Sequence, residues 1–106
     1  MWTVEFLDDL SRAELESLPL DMQASFVRIS RMISGNGLSA MREPYVKHLE
    51  GKLWEMRLKG RDGIARSLYV TATGKRVVVV HSFVKKTQKA PRKEIEIALR
   101  RAKEVQ

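Results

Sequence analysis

Lys52-Leu53-Trp54-Glu55-Met56-Arg57-Leu58-Lys59 alternates apolar and charged residues and runs straight into Gly60-Arg61-Asp62-Gly63. A period of two sends successive side chains to opposite faces of a strand. Trp54, Met56 and Leu58 therefore share one face, and Glu55, Arg57 and Lys59 the other. The Gly-Arg-Asp-Gly stretch is turn chemistry, which makes Ile64 to Thr71 the return strand. Ala72-Thr73-Gly74-Lys75 forms the next hairpin connection, and Arg76 to Phe83 has an apolar centre on both faces, as a central strand requires.

Upstream, Trp2, Val4 and Phe6 alternate like a strand. Ser11 and Glu14 have capping-box spacing, and Leu10 and Leu15 stand where a hydrophobic staple would fix the entry into a helix that Pro19 ends. Asp21 is a suitable cap for a second helix, whose Met22, Phe26, Ile29 and Ile33 make one apolar stripe. Gly35-Asn36-Gly37 stops it, because these residues tolerate the left-handed conformation of a helix C-terminus. Arg42-Glu43-Pro44 reads as an extended linker leading into Tyr45 to Leu49. Downstream, Lys85 to Pro91 is a basic loop, and Pro91 suits the first turn of a last helix with Ile95, Leu99 and Ala102 on its apolar face. The expected order is β-α-α-β-β-β-α: an α+β fold with two N-terminal helices and a C-terminal helix on an antiparallel sheet, one domain over residues 1–106.

The composition narrows the chemistry. Across 106 residues there are 20 Lys and Arg against 13 Asp and Glu, a net charge of +7, which favours a polyanionic partner such as RNA. There is no cysteine, so neither a thiolate nucleophile nor a thiolate zinc site is available. The two histidines, His48 and His81, are too few for an ordinary catalytic zinc centre, and the scattered acids do not suggest a two-metal nuclease. No P-loop, H-E-x-x-H or G-x-S-x-G motif occurs. No metal and no cofactor are expected. The N-terminus lacks the basic start and apolar run of a signal peptide, and the longest apolar run, Val77 to Val80, is too short to span a membrane. A cytoplasmic protein without membrane attachment is the expectation.

What remains is a basic set on neighbouring elements: Arg57 and Lys59 on one strand, Arg61 in the turn, Arg66 on the next strand, then Lys85, Lys86 and Lys89. Convergence of like charges is unfavourable unless an anion occupies the site. Cleaving RNA without a metal requires a more nucleophilic 2′-OH, a stabilised pentavalent phosphate and a protonated leaving oxygen. Preorganised cations supply the second of these. Arg66, between Ile64 and Leu68 on one strand face, fits either a site residue or an arginine ion-paired with Glu55. His81 fits a hydrogen-bonded core histidine or a proton-transfer group. Trp54 and Tyr69 read as packing residues rather than base-stacking platforms.

Arg42-Glu43-Pro44-Tyr45-Val46-Lys47, Leu49 to Arg57, Gly60 to Arg66 and His81 to Pro91, taken in order, resemble the phage-derived HigB-like branch of the RelE/ParE toxin superfamily. The resemblance implies a type II toxin, held inactive by a cognate helix-turn-helix antitoxin and open to a heterotetramer with it. Such a toxin enters the ribosome and cuts mRNA by 2′-OH attack, leaving a cyclic phosphate and a 5′-OH. It implies catalytic roles for Arg57, for Arg66 at the scissile phosphate, and for Lys85 and Lys86 after the last strand. Lys52, Lys59, Arg61 and Lys89 would bind RNA. Glu55 stands where the best-studied RelE members carry lysine, and the last helix has neither Tyr nor His, so the general base stays open between Glu55 and His81. Two rival readings share the fold: a ParE-like inhibitor of DNA gyrase, and an inert toxin remnant that only binds RNA or a partner.

Overall fold

The computed structural model describes residues 1–86 and 91–106. Its elements are β1 (Thr3–Phe6), α1 (Asp9–Glu16), α2 (Leu20–Asn36), a 3-10 turn (Leu38–Ala40), β2 (Val46–Glu50), β3 (Leu53–Gly60), β4 (Gly63–Ala72), β5 (Arg76–Lys85) and α3 (Arg92–Ala102). Among the described residues the strands form one sheet in the order β1-β5-β4-β3-β2. The α+β class and the three helices are as expected.

Two features of the sheet correct the expectation. β1 runs parallel to β5, with Thr3 opposite Arg76 and Phe6 opposite Val79, so the sheet is mixed rather than antiparallel. Only tight hairpins force neighbours to be antiparallel. Both helices and most of the sheet separate β1 from β5, which leaves their relative direction free. Val46–Glu50 is moreover a full strand paired with β3, not the end of a linker. Its apolar content is thin, but Gly51 at φ +56 closes a tight hairpin back onto Leu53.

The first helix also starts differently. Its N-cap is Asp8, whose carboxylate accepts the Ser11 N–H at 2.9 Å, while the Asp8 N–H donates to Ser11 Oγ at 3.1 Å. The capping box is therefore Asp8/Ser11 and not Ser11/Glu14, which frees Glu14 for other contacts. Leu10 is 56% exposed and forms no staple. Asp21 lies inside α2, whose N-cap is Pro19, and accepts the backbone N–H of Arg61 instead.

The α2 stripe behaves as read. Met22, Phe26, Ile29 and Ile33 are buried against Met56, Leu58, Ala65, Tyr69, Val77 and Val79 on one face of the sheet. Each such side chain contributes about 1.5–3 kcal/mol by leaving water. The opposite face has its own smaller core, Leu53, Leu68, Val70, Val80 and Phe83 under Ala98 of α3, with Ile95 and Leu99 packed at its margin. Because α3 covers that face, Glu55 is wholly buried and Arg57 half-buried rather than solvent-facing. The β4–β5 register shifts so that Leu68 faces His81 and Tyr69 faces Val79. Val80 is the extra residue, and this bulge directs it and His81 towards the α3 side.

α2 and β3 approach closely at Gly60. A Cβ there would lie 2.8 Å from Asp21 Oδ1 and 2.8 Å from Met22 Cγ. Met22 is buried and Asp21 is held by Arg61, so neither yields without loss. Gly60→Ala is expected to destabilise the fold by about 1–3 kcal/mol, read as a lowered urea midpoint. An unchanged midpoint would mean that these neighbours rearrange freely.

Candidate active site

Strand register assembles the basic set. Arg57 pairs across β3–β4 with Arg66, and Arg66 across β4–β5 with Phe83. One step along, Lys59, Ile64 and Lys85 form the next row. Lys47 on β2 faces Glu55 on β3. Paired residues point to the same side, here the side that α3 partly covers, and adjacent strands are about 4.8 Å apart. Lys47, Arg57, Arg66 and Lys85 thus form one cationic surface spanning β2 to β5. Their proximity registers on Lys85: partial burial, then the charges of Arg66, Arg57 and Lys47, hold its ammonium below the ordinary lysine pKa.

Arg66 lies at the floor of this surface, 4% exposed, and its Nη1 donates to Oε2 of the fully buried Glu55. The contact is one-armed, leaving Arg66 Nε and Glu55 Oε1 buried without partners among the described residues. Burial alone works against the Arg66 charge, and Glu55 is the counterion that permits it. The Glu55 ion pair that the sequence allowed for Arg66 is present, and it lies beneath a cationic groove.

His81 adjoins this groove, its ring stacked on Phe83 at 5.5 Å between centroids. Nδ1 is 2.9 Å from Glu14 Oε1 on α1, and Nε2 is 3.1 Å from Glu94 Oε1 on α3. Arg101 donates to the same Glu14 oxygen at 2.8 Å and to the Val80 carbonyl at 2.9 Å. Burial raises the Glu14 pKa, but the bonds from Arg101, His81 and the Ser82 N–H outweigh it and leave the carboxyl below its ordinary value. This cluster ties both ring nitrogens and pins α3 to α1 and β5.

The sequence model of the phage-derived protein Gp49-like family matches residues 13–103, taking in every element above except β1 and the start of α1. The chain belongs to that family. Gp49-like proteins are toxins of toxin–antitoxin systems, part of the RelE/ParE-like group and related to RelE-type endoribonucleases, so an antitoxin partner follows in general terms. Among curated proteins, none matches the chain.

The remaining site residues of the Gp49-like chain divide by position. Arg61, in the β3–β4 turn, stands at the same end of the sheet as Lys59 and Lys85, and Lys86 is exposed just beyond β5. Lys52 precedes β3 at the opposite end, about 17 Å of strand from Arg57, and does not join the groove. Lys89 lies outside the described residues. Sequence reasoning missed Lys47, because the signal that adds it, a polar position in register with Glu55, exists only once Val46–Glu50 is seen as a strand. Glu14 and Glu94 were also missed as partners of His81. Among the described residues no group of three His, Asp or Glu side chains is placed to hold a metal, and no helix is long and apolar enough to cross a membrane.

Proposed function

We propose that this Gp49-like toxin is a metal-independent, ribosome-dependent mRNA endoribonuclease of the HigB kind, restrained in the cytoplasm by a helix-turn-helix antitoxin. The observation that carries this reading is the convergence of Lys47, Arg57, Arg66 and Lys85 on one half-covered face of the sheet. In the reaction the 2′-oxygen attacks the adjacent phosphorus as its proton passes to a base. The P–O5′ bond breaks, and the departing oxygen takes a proton to become a 5′-OH. Charge accumulates on the non-bridging oxygens of the pentavalent state, where Arg57 and Arg66 would meet it. Lys85, held below the ordinary lysine pKa by partial burial and by Arg66, Arg57 and Lys47, gives up its proton more readily than a free lysine and is the candidate proton-transfer group. Lys59, Arg61 and Lys86 extend the basic surface along which a strand of RNA could lie.

Mapping mRNA 5′ ends after induction tests the proposal. New in-frame cuts in translated messages, reproduced on programmed ribosomes with chelator present and nearly absent on naked RNA, are expected, because the small site depends on the ribosome for substrate positioning. Growth arrest with intact mRNA and blocked supercoiling would replace the nuclease with a gyrase inhibitor. No arrest at all would leave an inert binding module.

A further inference from the structure

At the end of the sheet away from Lys59 and Lys85, a pocket of about 390 Å³ opens between the sheet and the segment that follows α2. That volume falls within the roughly 300–1,000 Å³ of small-ligand sites. Trp2, Trp54 and Tyr69 give it aromatic walls, Ser39, Arg42 and Thr71 are its polar residues, and the rest of its lining is apolar. Trp54 and Tyr69 stand opposite one another across β3–β4 and so share a face. It is the face that α2 covers, because Tyr69 packs with Met22, Phe26, Ile29 and Ile33. By strand alternation Arg57 and Arg66 belong to the other side.

Tyr69 is a packing residue, as the sequence suggests, and is only 1% exposed. Its hydroxyl nevertheless makes no hydrogen bond to the described residues, and burial alone acts on it, pushing its pKa up. Buried phenols ordinarily find a partner, so this one offers a donor and an acceptor to whatever enters the pocket. Trp54 is 38% exposed although large and apolar. The His48 ring rests edge-on against it at 5.1 Å between centroids, and His48 Nε2 is itself 2.7 Å from the Gly51 carbonyl oxygen. The indole is therefore braced. Arg42 is exposed, and its Nη1 donates to the carbonyls of Ser39 at 2.8 Å and Met41 at 3.1 Å. These bonds aim the guanidinium without neutralising it.

We propose that this pocket binds a nucleobase carrying a phosphate group. The ring stacks against the indole walls, the Tyr69 hydroxyl bonds its polar edge, and Arg42 meets the phosphate. Aromatic walls accept any base, because every base has a π-face. A phenyl or aliphatic side chain would fill the same space but leave the Tyr69 hydroxyl unpaired and Arg42 without an anion, which costs affinity. The net charge of +7 favours phosphate-bearing ligands in the same sense. The site rests on neither the nuclease chemistry nor the antitoxin, since it lies on the face away from the basic groove.

Trp2 and Trp54 are the two tryptophans of the chain, so intrinsic fluorescence reports on the pocket directly. Titrating the full chain with adenosine monophosphate, and separately with a short single-stranded oligoadenylate, is expected to quench it saturably. Tyr69→Phe keeps the ring and removes only the hydroxyl. It is expected to weaken binding about tenfold and to leave the urea midpoint unchanged. Arg42→Gln should weaken the monophosphate by a similar factor and leave adenosine, which has no phosphate, unaffected. Arg57→Ala, on the other face, leaves monophosphate binding as it is. Oligoadenylate binding at least about tenfold tighter, still sensitive to Tyr69→Phe, assigns the base to an RNA strand, whereas equal affinities assign the pocket to a free nucleotide. Absence of saturable quenching by both ligands would overturn the proposal. So would binding that survives Tyr69→Phe undiminished, or binding lost with Arg57→Ala, which belongs to the basic groove. Quenching by a phenylalanine-bearing peptide but by neither nucleotide would give the pocket to a protein partner instead. Messenger RNA cleavage is not a readout in any arm, so this proposal and the nuclease reading fail separately.

Discussion

Arg66→Ala is expected to abolish mRNA cleavage and also to cost about 3–5 kcal/mol of folding stability, and the two losses have different causes. Glu55 is fully buried and has Arg66 as its counterion. Removing the arginine strands a carboxylate in a site already holding one oxygen without a partner among the described residues, and an uncompensated buried charge is among the most damaging defects a core can carry. The catalytic loss, about 10²–10³-fold, comes from removing a preorganised cation where phosphate charge develops. A paired replacement separates them. Glu55→Leu with Arg66→Met removes both charges and is expected to restore the urea midpoint close to that of the native chain, since buried ion pairs are often no more stabilising than apolar residues of similar volume. It is also expected to remain inactive. Recovered cleavage in the double variant would reduce Arg66 to a structural residue and move the phosphate contact to Arg57 and Lys85.

The same pair marks the limit of what the sequence shows. Periodicity alone placed β3, β4, β5 and the α2 stripe, because each has one continuous apolar set that must find a core. It could not show that the charged face of β3 lies under α3. Glu55-x-Arg57-x-Lys59 reads as a solvated face, and whether a helix covers it is decided by residues some forty positions later. β1's parallel pairing and the strand at Val46–Glu50 are likewise non-local: one depends on which edge of β5 is left open, the other on a hairpin at Gly51.

Caps and charge partners were harder to read. Spacing alone put the capping box at Ser11/Glu14, whereas Asp8 and Ser11 form it, and local spacing could not make that choice. The choice is made by His81 and Arg101, which claim Glu14 from across the sheet and from α3. The basic set was readable because cations on neighbouring strands joined by short turns must lie close together. Lys52 shares their charge but precedes β3 at its far end, so composition included a residue that its place in the chain separates from the groove.

Lys85→Arg distinguishes a lysine that moves a proton from one that only lends charge. The native ammonium is held below the ordinary lysine value of 10.5 by partial burial and by Arg66, Arg57 and Lys47. A larger fraction is therefore neutral near pH 7 than for a free lysine, and that neutral fraction can accept the 2′-OH proton. With Lys85 as the base, log rate on programmed ribosomes rises with pH below its pKa and levels off above it, at a pH below 10.5. Arginine keeps the positive charge but does not give up its proton in this range. Lys85→Arg is accordingly expected to lose about 10²–10⁴-fold in single-turnover cleavage and to lose the rising limb as well. Lys47→Ala removes one of the neighbouring charges without touching the base, so it should move the limb to higher pH with a smaller loss of rate. Near-native cleavage by Lys85→Arg with an unchanged profile would assign the proton to another group, and Lys85 would keep only the electrostatic part of its role. A rate that falls with pH through the same range, abolished by Lys85→Arg, would instead make it the acid that protonates the departing 5′-oxygen.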